Sequence, residues 1–328
     1  MRHACRSERI VPYALESMPA RALLIANPHG GASGRRFARV TDRLGRVFDE
    51  DFETEFTRGP RDAARIAREA VRAGVERIMV AGGDGTTSEV VTGLLAAGLG
   101  EEVEIALLPM GSGCDFARSL GLPRDPLSCV DLLAAGERRR VDAGRITYRD
   151  RSGVSRTSYF LNEASFGVSG LTVRLVSEAA KRFGPRLAFA LGTLGAIRRF
   201  RPPEVRVLVD DTPVHEGPIS LVTASNGRYF GSGMEVAPPA RVDDGELDCV
   251  VIDRMSKPRL VARFPSIYSG RHVELPEAAH HRARRIVAEL ASGEALVDVD
   301  GEAIGVLPIE IEIRPGAIGL FGQPPKDA

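Results

Sequence analysis

The stretch IMVAGGDGTTSE, from Ile78 to Glu89, decides the fold of this chain. A short apolar run leads into a glycine cluster, and apolar residues at helical spacing follow from Val90 to Leu95, which predicts a strand, a tight turn and a helix. Glycines let the backbone approach an anion, and the free N–H groups at the start of a helix point toward it. The stretch therefore predicts a phosphate site, with an ordinary strand-to-helix turn as the alternative.

The carboxylate in this turn, Asp84, indicates what kind of phosphate would bind. A carboxylate repels a phosphate unless a cation lies between them, so Asp84 favours a Mg²⁺-nucleotide over a bare anion. Thr86 and Thr87 add hydroxyl donors. Lysine occurs only three times in the chain and never follows a glycine loop, which excludes a Walker A loop and the strand lysine of a protein kinase.

Composition limits the class of protein. The chain has 328 residues, 43% of them hydrophobic and 27% charged, which predicts two globular domains. Its net charge of zero gives no electrostatic reason to expect nucleic acid as a partner. Four scattered cysteines without a C-x-x-C pair indicate reduced thiols in a cytosolic protein. No apolar run reaches transmembrane length, and residues 1–19 are predicted to be a disordered tail or a misassigned start.

The first half of the chain alternates between strand and helix patterns. Strands are predicted at 22–26, 51–56, 78–81 and 105–108, with helices after each of them. This alternation predicts a doubly wound α/β nucleotide-binding domain over residues 20–138, with ligands at the carboxyl ends of its parallel strands. Three of the four carboxyl ends carry glycine-rich turns, which is more than chain reversal requires.

The second half has short Val-, Ile- and Thr-rich runs separated by Gly, Pro and Asp, which predicts an antiparallel β-sandwich domain over residues 139–308. A helical insertion is expected at about 171–200. Its apolar faces and arginine rim could meet a membrane surface, and helices that simply cap the sandwich are the alternative. The last segment, 309–328, could return to the first domain.

Two acidic turns lie in this second half, at Asp243-Asp244-Gly245 and at Asp300-Gly301-Glu302. Asp-Gly is a common two-residue hairpin signal, so either one alone fits a simple turn. A turn has no need, however, for the glutamate at position 302.

Together, seven motifs resemble the diacylglycerol kinase catalytic family, which includes bacterial lipid kinases and sphingosine kinases. The resemblance runs from about Ala20 to about Phe321. The motifs are Asn27-Pro28 with its small-residue loop, Gly82-Gly83-Asp84-Gly85-Thr86, the segment from Pro109 to Arg118, Asn226-Gly227 followed by Phe230 to Met234, Ala237-Pro238 with Ala240, Asp243-Asp244-Gly245, and Asp300-Gly301-Glu302.

The resemblance implies that ATP binds between the two domains. The nucleotide contacts that it implies are Asn27, Pro28, His29, Gly30, Gly31, Thr57, Gly82, Gly83, Asp84, Gly85, Thr86, Glu89, Gly111 and Ser112. It also implies that Glu302 is the general base that takes the proton from a lipid hydroxyl.

The resemblance further implies two Mg²⁺ positions. Asp84 would interact with the ion bound to the phosphates. Asp115 and Asp142 would belong to a water-mediated network around this ion. A second, structural ion would be held by the carboxylate of Asp244. The backbone carbonyls of Arg241 and Glu246 would complete that second site.

The sequence departs from the family pattern in the loop Gly111-Ser112-Gly113-Cys114-Asp115, where Gly-Thr-Gly-Asn-Asp is usual. Serine keeps the hydroxyl of threonine, whereas Cys114 removes an amide. Ser88 likewise stands where asparagine is common. A buried Cys114 without a redox role is the favoured interpretation.

These features predict a cytosolic kinase, dependent on ATP and Mg²⁺, that phosphorylates a lipid hydroxyl and contacts the membrane peripherally, with a homodimer allowed. A soluble-acceptor kinase of the NAD kinase or phosphofructokinase type is one alternative, because these enzymes share the Gly-Gly-Asp-Gly signature. A non-catalytic nucleotide sensor is another. The sequence leaves open whether the acceptor is diacylglycerol, a sphingoid base or a prenyl or glycolipid alcohol.

Overall fold

The computed structural model of the chain describes residues 22–48, 52–111, 113–183 and 185–324, and the side chains of residue 135 and residues 177–191 lie outside that description. The predicted tail at 1–19 and the predicted nucleotide contact Ser112 therefore fall outside the described residues. In the part of the chain that is described, no helix is long and apolar enough to cross a membrane.

The sheet of the first domain has four parallel strands: β1 (Ala22–Ala26), β2 (Glu53–Phe56), β3 (Arg77–Gly82) and β4 (Glu104–Pro109). Their order across the sheet is β2-β1-β3-β4. β1, β3 and β4 are buried along nearly their whole length, as expected for continuous apolar strands with helices on both faces.

The helices of this domain are α1 (Gly34–Val47), α2 (Asp62–Arg72), α3 (Asp84–Ala96), α4 (Asp115–Ser119) and α5 (Pro126–Ala135). α1 packs against α5 and α2 packs against α3. Right-handed crossovers in this strand order place the two pairs on opposite faces, so the doubly wound α/β fold is confirmed.

Helix α5 was not predicted, although its sequence carries start and stop signals. The side chain of Asp125 accepts a hydrogen bond from the Ser128 N–H, Pro126 occupies the first turn, and Gly136 follows the last residue. These three residues form a complete set of helix boundaries around an apolar run.

The second domain is built on antiparallel strands, and a domain of this class is confirmed. Its strands are β5 (Glu137–Arg149), β6 (Ser155–Phe160), β7 (Glu163–Gly167), β8 (Glu204–Val209), β9 (Thr212–Ser225), β10 (Tyr229–Phe230), β11 (Met234–Glu235), β12 (Leu247–Asp253), β13 (Ala278–Ala283), β14 (Arg285–Ser292), β15 (Leu296–Val299) and β16 (Glu302–Gln323). β13 and β14 were not predicted, because their segment is rich in Arg and His and lacks a clear apolar alternation.

The helices of the second domain are α6 (Val168–Phe183), α7 (Pro185–Arg199) and α8 (Lys257–Arg263). α6 and α7 pack against each other, and α7 also contacts α8. Short 3-10 helices at Phe264–Ser269 and Arg271–Glu274 follow α8.

The long strand β16 connects the two domains. It pairs antiparallel with β5, β14 and β15, and near its end Gly319 and Leu320 pair in parallel with Glu104 and Ile105 of β4. One continuous sheet therefore runs from β13 in the second domain to β2 in the first.

Two carboxyl groups lie inside the core of the second domain. Glu163 is 1% exposed and Asp298 is fully buried, on the neighbouring strands β7 and β15. Burial, reinforced by repulsion from Asp300, raises the pKa of Asp298 to about 7. Burial and the charges of Asp298 and Asp300 also raise the pKa of Glu163.

We expect this pair to make the folded protein less stable as the pH rises. The folded chain holds these protons more tightly than the unfolded chain, so raising the pH from about 5 to about 8 removes a proton at a cost to the folded state. Asp298→Asn cannot ionise, so its melting temperature should fall less over this range. Thermal unfolding followed by circular dichroism measures the difference.

The matched control is Asp42→Asn, which changes an aspartate whose side chain is 66% exposed on α1. In this control the melting temperature should fall with pH as steeply as in the native chain. If the melting temperature of Asp298→Asn fell with pH as steeply as that of the native chain, the raised pKa of Asp298 would not be the cause of the pH dependence.

Candidate active site

A cleft of about 780 Å³ lies between the two domains, and the loops that follow β1, β3 and β4 form its first-domain wall. These strands are neighbours in the sheet, so their carboxyl ends place the three loops side by side. The chain leaves β1 toward β2 and leaves β3 toward β4. The loops after β1 and β3 consequently diverge, which opens a crevice at this switch point.

The side chain of Asn27 connects the first loop with α3. Its Oδ1 accepts hydrogen bonds from the N–H groups of His29 and Gly30, at 3.0 and 3.1 Å, and its Nδ2 donates to Thr86 Oγ1 at 2.8 Å. One amide therefore holds three residues of the two regions predicted to bind nucleotide: His29, Gly30 and Thr86.

Two glycines allow the loops to touch. Gly31 has a φ of 97°, and a Cβ at this position would lie 2.2 Å from the carbonyl oxygen of Met110. A Cβ on Gly111 would lie 2.6 Å from the Cα of Gly83. Larger residues would push the loops apart, so these positions require glycine.

The start of α3 faces the cleft without a side-chain cap. The N-cap residue is Gly83, which has no side chain to accept a hydrogen bond from the first turn. Gly83, Asp84 and Gly85 line the cleft. The unpaired N–H groups of a helix start carry partial positive charge and favour an anion. This end of the cleft can therefore hold a phosphate group.

Asp84 has a structural contact that the sequence did not reveal. Its two carboxylate oxygens accept hydrogen bonds from the N–H groups of Asp115 and Phe116, at 3.0 and 3.1 Å, which caps the start of α4. Each oxygen keeps a further lone pair. A carboxylate with free lone pairs beside hydroxyls and backbone amides is a donor set that suits a hard cation such as Mg²⁺.

Asp115 joins the first domain to the second. The carboxylate is 2% exposed, accepts a hydrogen bond from the Ser232 N–H at 2.6 Å, and forms an ion pair with Arg118 at 3.1 Å. Burial and repulsion from Asp84 raise the pKa of Asp115. Its predicted place in a metal network thus coincides with a contact between the two domains.

Asp300 lines the cleft and makes a second contact between the domains. Its carboxylate accepts hydrogen bonds from the successive N–H groups of Leu161, Asn162 and Glu163, each at 3.0 Å, and from Ser88 Oγ at 3.1 Å. From the sequence, Asp300 was expected only as part of the Asp300-Gly301-Glu302 turn and motif, without a contact of its own. The contact of Ser88 with the Asp300 turn could not be predicted from the sequence.

Glu302 follows two residues later and is exposed at the start of β16. Its carboxylate makes no hydrogen bond or ion pair with another residue that the structure describes. Asp300 and Gly301 line the cleft, whereas Glu302 is not among the lining residues described.

Six predicted nucleotide contacts also lie outside the described cleft lining: Asn27, Pro28, Thr57, Gly82, Thr86 and Glu89. The Thr57 N–H donates to the carbonyl of Ala26 at 2.9 Å, which keeps it at the end of β1, and Glu89 is half-buried on α3.

The predicted second metal position lies away from the cleft. Asp142, which the resemblance assigned to the network around the first ion, also lies here: its buried carboxylate accepts hydrogen bonds from the N–H groups of Gly245 and Gly316, both at 2.7 Å. Arg282 forms ion pairs with both Asp244 and Glu246.

A guanidinium group therefore already neutralises the carboxylate that would hold the second ion. Arg241, whose carbonyl the resemblance assigns to this ion, pairs weakly with Asp243 at 4.0 Å. The residues here do not fit a metal ion unless Arg282 moves.

Cys114 adopts a left-handed conformation with a φ of 53°. Asparagine tolerates this region better than most residues, which explains why cysteine here is an unusual choice. Burial and the charge of Asp84 raise the pKa of the thiol to about 11. The group is thus a protonated thiol at neutral pH, and Cys114 is half-buried rather than buried as predicted.

Beyond the loops, the cleft continues into the second domain as an apolar chamber. Side chains from α6, β9, β12, α8 and the adjoining segments line it, among them Val173, Leu221, Ile252, Met255, Leu260 and Phe264. This chamber could not be predicted from the sequence, because its walls come from segments far apart in the chain.

Comparisons with known proteins agree with this arrangement. Residues 21–146 match the diacylglycerol kinase catalytic domain, and residues 162–322 match the YegS C-terminal NAD kinase beta sandwich-like domain. A diacylglycerol kinase of Mycobacterium tuberculosis is 31% identical over 264 residues, which are 79% of this chain and 81% of that protein. A diacylglycerol kinase of Bacillus subtilis is 29% identical over 294 residues, 88% of this chain and 92% of that protein.

A solved structure from Bacillus anthracis, named as a candidate diacylglycerol kinase, shares the fold with a TM-score of 0.74 and 26% identity. The likeness covers 94% of this chain and 99% of that chain. With the domain matches in the same order and the glycine-rich loops facing an apolar chamber, the chain belongs to the diacylglycerol kinase family of lipid kinases.

Proposed function

We propose that the protein transfers the γ-phosphoryl group of ATP to the hydroxyl group of a lipid, such as diacylglycerol or a related lipid alcohol. The observation that carries this proposal is the shape of the cleft. One end has glycine loops and an uncapped helix start, which suit phosphate groups, and the other end is an apolar chamber, which suits a hydrocarbon chain.

In this proposal the first domain holds the nucleotide. The N–H groups at the start of α3 bind the phosphates, and Asn27 keeps the loop after β1 in place against Thr86. The close approach of Gly83 and Gly111 leaves the backbone open to the phosphates. Mg²⁺ held at Asp84 would supply positive charge that neutralises the phosphate oxygens.

Glu302 is the proposed general base. Its carboxylate is free of described partners, so it is available to accept a proton from the attacking lipid hydroxyl. Asp300 is the less suitable carboxylate, because both of its oxygens already accept hydrogen bonds from the N–H groups of residues 161–163 and from Ser88 Oγ.

The lining of the chamber favours a lipid over a soluble dinucleotide acceptor. A dinucleotide would need polar partners for its second base and ribose, and apolar walls would leave those groups without hydrogen bonds. Phosphate transfer from labelled ATP, assayed in parallel with lipid extract and with NAD, separates the two acceptors. Equally slow ATP turnover with and without any acceptor would favour a nucleotide sensor.

Three expectations from the sequence stay predictions. They are peripheral contact with the membrane from the cytosol, a homodimer, and a second Mg²⁺ ion at Asp244. Since Arg282 already pairs with Asp244 and Glu246, no catalytic step is assigned to the second ion.

Glu302→Gln should retain ATP binding and lower turnover of the lipid substrate by at least ~10²-fold, the range expected for loss of a general base. The measurements are steady-state phosphate transfer and ATP binding by calorimetry. Glu294→Gln is the matched control, because Glu294 is an exposed glutamate a few residues before β15. Unchanged turnover in Glu302→Gln would remove this residue from the mechanism.

Leu260→Trp should test whether the chamber holds the lipid chain. Leu260 is half-buried on α8 and lines the chamber, so a larger side chain would occupy part of its volume. We expect kcat/KM for a long-chain lipid to fall by about 10-fold or more, with ATP affinity unchanged. Val154→Trp is the matched control, because Val154 is 48% exposed and lies away from the chamber, so kcat/KM should stay near the native value.

If Leu260→Trp and Val154→Trp gave the same kcat/KM for the long-chain lipid, the chamber would not be the acceptor site. Loss of ATP affinity in Leu260→Trp would point instead to a general disturbance of the fold.

A further inference from the structure

Few large apolar side chains are exposed in the described part of the chain, and they are not scattered evenly. Phe56 and Val154 lie away from the chamber lining. The other three are Leu194 on α7, Val261 on α8 and Tyr268 in the 3-10 helix after α8, with exposed fractions of 60%, 47% and 45%.

Each of these three residues is the chain neighbour of a residue that lines the chamber. Thr193 precedes Leu194, Leu260 precedes Val261, and Ile267 precedes Tyr268. α7 and α8 are in contact, and the Lys257 ammonium group donates a hydrogen bond to the carbonyl of Arg198. The exposed apolar side chains therefore lie on the elements that form the rim of the chamber.

The same rim carries an excess of positive charge. Residues 254–273 contain five Arg and Lys residues and no Asp or Glu, in a chain whose net charge is zero. Arg198, Arg199, Lys257 and Arg263 are exposed and form no ion pair with another side chain that the structure describes. Nearby, Arg259 and Arg271 are paired with Glu277 and Glu274.

We propose that this rim, made of the carboxyl-terminal part of α7, α8 and the 3-10 helix after it, docks the protein on the surface of an anionic phospholipid bilayer. The proposal rests on the proposed function, because a lipid acceptor must pass from a bilayer into the chamber. Unpaired arginine and lysine side chains attract anionic headgroups, and protruding apolar side chains enter the boundary between headgroups and acyl chains.

This geometry gives the docking a role in substrate entry. The apolar side chains that enter the bilayer adjoin the apolar walls of the chamber, so a lipid chain could move from one to the other without crossing water. The phosphate-binding loops lie at the opposite end of the same cleft, on the side of the first domain.

The experiment is cosedimentation of the full chain with vesicles of phosphatidylcholine, with and without phosphatidylglycerol. The test variant is the double substitution Val261→Asp with Arg199→Glu. The matched control is Val154→Asp with Arg151→Glu, since Val154 is 48% exposed and Arg151 is exposed in the turn between β5 and β6.

We expect the native chain and the control to bind vesicles that contain phosphatidylglycerol more tightly than neutral vesicles, and binding should weaken as salt is added. The test variant should bind anionic vesicles at least about 10-fold more weakly, because it loses both an apolar and a cationic contact. Its activity on a lipid acceptor dispersed in detergent should stay within about 2-fold of native, because docking is not needed there.

Equal binding of the test and control variants to anionic vesicles would overturn the proposal, as would equal binding of the native chain to neutral and anionic vesicles. Binding does not require ATP or turnover, so the result is independent of the kinase assay. A chain that docks through this rim and phosphorylates no lipid would refute the proposed function and leave the docking surface in place.

Discussion

The carboxylate of Asp300 fixes the cleft on which the rest of the structure depends. It accepts three successive backbone hydrogen bonds, from residues 161–163 of the second domain, and one from Ser88 in α3 of the first. A buried carboxylate that lost these donors would be costly, because its charge would remain without compensation. The contact therefore holds the hairpin that carries Glu302 beside the helix that begins at the glycine loop after β3. Asp115 adds a second contact between the domains through Ser232.

Several acidic residues in this protein stabilise the fold as well as shape the cleft. Asp84 caps α4 while it faces the cleft, and Asp142 holds the backbone of Gly245 and Gly316 together. Carboxylates bound by backbone N–H groups are rigid, so the lone pairs that remain free on their oxygens have defined directions. The same physical arrangement thus packs the loops together and leaves lone pairs on Asp84 that would suit a cation.

The cleft also joins two environments of opposite character. At one end, backbone amides and a helix start favour negative charge, and at the other, apolar side chains favour a hydrocarbon chain. A lipid with a hydroxyl headgroup has matching ends, since its chain is apolar and its reactive atom is polar. The exposed apolar and basic residues at the rim extend this match to the surface of the molecule.

The sequence by itself determined the alternation of strand and helix in the first half, the glycine turns and the antiparallel second half, because these depend on local periodicity and on backbone freedom at glycine. Only the tertiary structure decided that β1, β3 and β4 are neighbours, that Ser88 meets Asp300 and that Arg282 pairs with Asp244. The apolar chamber was likewise decided only by the tertiary structure. These features depend on contacts between residues far apart in the chain, and strand order and side-chain pairing leave no local pattern from which they could be predicted.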